Sequence, residues 1–147
     1  MSELQPGACD TIITRFHRLL DIYVEEGGKA IANGEEPARA LEAARAQALK
    51  GDVKATLPLV GVTLLIYGRR DMFPVAIIRQ VCNLAARNAL PQHVVACAYF
   101  NALNPIGDKD EKRRAVDAEI ARFEAGRASA PEELGGHIDA LKACLPN

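Results

Sequence analysis

Serine is almost missing from this chain, and the gaps in its composition narrow its chemistry. Only Ser2 and Ser129 occur. Ser2 lies near the start, Ser129 stands where a helix cap is expected, and no G-x-S-x-G elbow is present, so a serine nucleophile is not indicated. The four cysteines, Cys9, Cys82, Cys97 and Cys144, include no CxxC pair. That removes the spacing of zinc sites and of thioredoxin-like centres. No HExxH or histidine-rich tract supplies convergent metal ligands. Asp108-x-Asp110 has the opening of a calcium loop, but Lys112 and Arg113 stand where that loop needs an oxygen ligand and a glycine. Gly27-Gly28-Lys29 and Gly135-Gly136 lack the flanking glycines of a phosphate cradle and read as helix ends. No cofactor and no metal are expected.

Charge excess and long apolar runs are missing too. The chain carries 18 basic and 19 acidic residues, a net charge of -1. A nucleic-acid binder usually shows a basic surplus, because phosphate contacts supply much of its affinity. The longest apolar run, Leu57 to Tyr67, holds Pro58 and Gly61 and falls short of the about 20 residues a membrane helix needs. The start, Met1 to Gly7, has neither a basic region nor an apolar stretch of a secretory signal. A cytoplasmic protein is therefore expected, with four free thiols: Cys82 and Cys97 as small core residues, Cys9 and Cys144 near termini that can meet. High alanine and arginine usage suggests a GC-rich bacterial source.

What is present is helical. The 147 residues are 49% hydrophobic and 25% charged, the size and composition of one ordinary globular domain. Residues 1–8 read as an arm and 9–147 as a single helical domain. Ile12, Ile13, Phe16, Leu19, Leu20, Tyr23 and Val24 recur with a 3.6-residue period, and Gly27-Gly28 is expected to end or bend that first helix. A second helix, about 37–50, packs through Ala38, Leu41, Ala44, Ala48 and Leu49. A third carries the apolar run up to Gly68. Asp71 and Pro74 open a fourth, and Pro91 a fifth. Asp108 and Glu111 have capping-box spacing before a charged sixth helix. Ser129 and Glu132 repeat it before a last helix with Leu134, Ile138, Leu141 and Leu145. No segment alternates as a strand does. The fold class is all-α: six or seven antiparallel helices, as a compact bundle or a short array of αα-hairpins. Helical pairs begin near Pro37, Asp71 and Asp108, close to the 34-residue period of tetratricopeptide-type repeats. Aromatic positions differ from that family and the pairs do not align, so only the αα-hairpin geometry is shared.

Three functional readings follow. The leading one is a non-enzymatic protein–protein interaction module, an adaptor, secretion chaperone, immunity-type inhibitor or regulator, whose partner is another protein or a second copy of this chain. Its contact residues would come from the basic clusters Arg69-Arg70 and Lys112-Arg113-Arg114 and from Tyr67, Tyr99 and Phe100, since tyrosine and phenylalanine deliver large contact area. The second concerns the segment from Arg79 to Leu103, which resembles a helix-turn-helix. Ala85 matches the small residue of the first helix, Ala89 stands at the turn, and Leu90 and Val95 match inner apolar positions. The resemblance implies a DNA-binding regulator. It fails in the second helix, which offers Gln92, His93 and Asn101 but no basic residue to bases or phosphates. The third is a small-ligand binder or cysteine enzyme using His93 and Cys97, whose four-residue spacing places both on one helical face.

Overall fold

The computed structural model describes residues 9–31, 36–68, 75–88, 90–104 and 107–146. Among these lie seven α-helices and no strand: α1 (Ile12–Ile31), α2 (Pro37–Leu49), α3 (Thr56–Tyr67), α4 (Val75–Asn88), α5 (Pro91–Leu103), α6 (Lys109–Ala125) and α7 (Glu132–Cys144). The arm at 1–8, the Asp71 cap with Pro74, the turn residue Ala89 and the Arg69-Arg70 cluster lie outside the described residues. Contacts gather into two compact units, Leu19–Val81 and Met1–Arg18 with Cys82–Asn147. The division falls inside α1 and inside α4.

In the unit 19–81, α1 does not stop at its glycine pair but runs on to Ile31. Its buried face is narrower than the sequence period suggests. Ile12, Phe16, Leu19 and Tyr23 are buried, whereas Ile13 and Val24 are exposed. Gly27 continues the buried row one turn beyond Tyr23, and the reason it is glycine lies in α3. A Cβ on Gly27 would stand 2.6 Å from the Val62 amide nitrogen, and one on Gly61 would stand 2.6 Å from the Gly27 nitrogen. The two helices meet backbone to backbone, a contact only hydrogen side chains allow. Gly28, one residue on, has nothing within 4 Å of its Cβ position.

α2 begins on Pro37, where proline's missing N–H costs no helical hydrogen bond. Its end at Leu49 is followed by Gly51, whose φ of 98° suits a residue without a Cβ. Ala40, Leu41 and Ala44 pack with Leu59 and Val62 of α3, flanked by Ala30, Ile31, Ala48 and Ile66. Ala38 and Leu49, expected inside, are exposed. Pro58 falls in the first turn of α3.

In the other unit, α5 packs against α6 and α7. Every residue from Gln92 to Phe100 is buried, so α5 is its central helix. The Asp108 carboxylate accepts hydrogen bonds from the Asp110 and Glu111 amides at 2.8 and 3.0 Å and caps α6. Those bonds hold its carboxyl below the usual carboxylate range. Asp108→Ala is expected to lower the thermal midpoint by a few degrees, with Asp108→Asn, which keeps the acceptor, near wild type. The expected cap at Ser129 is different. Ser129 belongs to a 3₁₀ turn, Arg127–Ser129, and α7 starts after Pro131 with no side-chain cap. Arg127 instead joins α6 to α7, reaching Asp139 at 2.7 and 2.9 Å and Glu124 at 3.1 Å. Leu134, Ile138, Leu141 and Leu145 are buried, as their spacing predicts.

Candidate functional site

The cysteines correct the expectation of free thiols. Cys9 is joined to Cys144 and Cys82 to Cys97, each pair with Cα atoms 5.0 Å apart, a separation that suits a disulfide. The first ties the segment ahead of α1 to the last turn of α7. The second ties α4 to α5. Single-residue reasoning could not choose among the pairings of four cysteines; the nearness of the termini was the one usable signal.

The pairing changes the standing of His93 and Cys97. Cys97 has its sulfur bonded to Cys82, so it has no thiolate for His93 to activate. His93 is fully buried, and burial pushes its imidazole down to about 4, so it is neutral at physiological pH. The helix-turn-helix reading loses its geometry in the same place. Gln92 and His93, which would have faced base edges, are buried inside the unit, and Asn101 donates its side-chain amide to the Cys97 carbonyl at 3.1 Å. A recognition helix has to present its outer face to a groove.

A polar cluster that sequence reasoning missed lies where α1, α5 and α7 meet. The Arg15 guanidinium stands with Nη1 3.1 Å from His137 Nδ1. A guanidinium has only donors, so Nδ1 accepts, and the neutral ring carries its proton on Nε2. Burial first, and then the Arg15 charge, lower the His137 pKa, while Glu133 raises it. The Tyr99 hydroxyl donates to the His137 backbone carbonyl, and the two rings meet edge to face with centroids 6.2 Å apart. Burial pushes the Tyr99 phenol above its ordinary range. Two N–H groups in the cluster have no hydrogen-bond partner: Arg15 Nε and His137 Nε2, the latter 3.8 Å from Glu133 Oε1. The signal for His137 was available, since it sits between Leu134 and Leu141 on the apolar stripe of α7. Arg15 borders the buried row of α1, and its charge gives no sign in the sequence of a buried partner.

The remaining contact residues divide sharply. Tyr99 and Phe100 are core, at 0% and 4% exposure, and therefore cannot anchor a partner. Tyr67 is 67% exposed at the end of α3. Of the second basic cluster, Lys112 donates to the Asn104 carbonyl at 2.6 Å, and Arg113 reaches Asp117 at 3.1 Å and the Pro146 carbonyl at 2.5 Å. Both hold the chain together, and Arg114 alone of the three is exposed. A buried carboxylate, Glu119, pairs with Arg122 through one oxygen and leaves the other without a partner. Burial raises its pKa.

Among the described residues no helix is long and apolar enough to cross a membrane. No protein-family model matches the chain. No curated protein and no solved structure matches it either.

Proposed function

We propose that this chain is a non-enzymatic protein-interaction module that meets its partner through the unit 19–81. The observation that carries the reading is the exposure of large apolar side chains there: Leu49 at 83%, Tyr67 at 67% and Leu65 at 42%. Tyrosine is enriched in protein contact surfaces, which makes Tyr67 the leading anchor of the three. Lys112 and Arg113, engaged within the other unit, contribute less than the composition suggested. The two disulfides favour an oxidising compartment over the cytoplasm.

Tyr67→Ser tests this. Tyr67 is the last residue of α3 and is mostly exposed, so the substitution is expected to leave the circular dichroism spectrum and melting midpoint near wild type. Tagged wild-type protein purified from its source cells should bring down one protein in stoichiometric amount, and Tyr67→Ser should lose at least about 90% of it, the effect of a hot-spot residue worth upward of about 1.4 kcal/mol. Equal capture by both proteins overturns the assignment of the surface. Capture of nucleic acid that salt releases overturns the class.

A further inference from the structure

We infer that α7 is a strap over α5 that is released by reduction of the Cys9–Cys144 disulfide. The inference is independent of the surface proposed above and concerns the other unit. Two contacts between the α1 end of the chain and α7 set the geometry. One is the disulfide at Cys144, the last residue of the helix. The other is the Arg15–His137 contact seven residues earlier, two turns back on the same face of α7. Between them sit the buried side chains Ile138 and Leu141.

Two observations make the disulfide the controlling contact. α7 is a 13-residue helix with Gly135 and Gly136 near its start and no side-chain N-cap, so it has little stability of its own. The polar contact beneath it is incomplete: docking buries the Arg15 Nε and His137 Nε2 N–H groups without partners. Released, both regain water, so this contact stabilises docking less than a fully paired one would. The cross-link then supplies what the polar contact does not, by confining the last turn of α7 next to Cys9.

The bond is open to attack from one side. Cys9 is partly exposed, whereas Cys144 is fully buried. A thiolate of a dithiol reductant attacks Cys9 Sγ, the S–S bond breaks, and the Cys144 sulfur leaves as a thiolate that takes up a proton. The second thiol of the reductant then attacks the mixed disulfide, freeing Cys9 as a thiol and closing the reductant's own disulfide. The chemical class of the trigger is therefore a thiol reductant, met on passing from an oxidising to a reducing compartment.

Hydrogen exchange tests the strap. The probe is the full chain carrying Cys9→Ser and Cys144→Ser, with Cys82–Cys97 intact, compared with the oxidised wild type. Amides of residues 134–144 are expected to exchange at least about tenfold faster, a cost in opening free energy of about 1.4 kcal/mol or more, while α5 and α6 keep their protection. Unchanged exchange in α7 overturns the proposal. So does acceleration of α5, α6 and α7 together, which would make the cross-link a general brace. Should the double variant fail to fold, the same exchange pattern is read on folded wild type after dithiothreitol has reduced Cys9–Cys144, with reduction located by alkylation and mass. A Cys9–Cys144 bond that resists dithiothreitol until the whole unit unfolds also overturns it.

Discussion

Gly61→Ala is expected to destabilise the unit 19–81 by about 3 kcal/mol or more, enough to unfold a marginal domain. The new Cβ would overlap the Tyr23 carbonyl and stand 2.6 Å from the Gly27 nitrogen. Neither obstacle is a side chain that can change rotamer. Both belong to helical backbone, so α1 and α3 must separate, and the packing of α2 on α3 is disturbed with them. Gly27→Ala meets the reciprocal obstacle at the Val62 nitrogen and should behave alike. Gly28→Ala is the internal control, because its Cβ position is open. Alanine in a helix interior is favoured over glycine by about 0.5–1 kcal/mol, so this variant should melt above wild type. Thermal or denaturant melts of the three variants check the claim. A Gly61→Ala protein as stable as wild type would mean the two helices do not touch through their backbones.

Acid is expected to weaken the protein before its carboxylates titrate. His93 is pushed from its ordinary 6.5 down to about 4 by burial. Above pH 6.5 the imidazole is neutral in both folded and unfolded chains and stability is at its full value. Below 6.5 the unfolded chain takes up a proton that the folded chain refuses, so stability falls until the folded pKa near 4 is reached. The accumulated loss from this one residue is about 3 kcal/mol at pH 4. His137, lowered by burial and by Arg15, acts in the same direction. Denaturant midpoints should hold from pH 7.5 to about 6.5 and fall from there to pH 4. His93→Gln should be less stable at pH 7 and show a flatter profile, since the group that discriminates between the two states is gone. A wild-type midpoint that holds constant from pH 6.5 to 5 contradicts the buried, neutral His93.

The helices were legible because their signals are local. Proline at the start of α2, glycine after it, and aspartate before α6 each act within one turn, and the stripe of α7 repeats at a spacing that only a helix buries. What the sequence hid depends on partners far along the chain. Gly27 reads as a helix end until Gly61, 34 residues away, is known to press against it. Tyr99 and Phe100 read as contact residues, and only the packing of α6 and α7 over α5 places them inside. Arg15 and His137 meet across 122 residues, and no periodicity in either helix names the other. The cysteines are the sharpest instance: spacing excluded zinc and redox motifs, yet the expectation of free thiols rested on an inferred compartment, and proximity in the fold overrules it.

The assignment of cysteine and histidine to structure rather than chemistry turns on the state of four sulfur atoms. The most direct measurement traps the protein from its source cells in acid, alkylates it in denaturant without reductant, and weighs it. The two disulfides predict no alkyl group added, and four added only after reduction, with Cys9–Cys144 and Cys82–Cys97 recovered as linked peptides. Alkylation of all four without reductant would contradict them and return Cys97, beside His93, to the list of reactive groups.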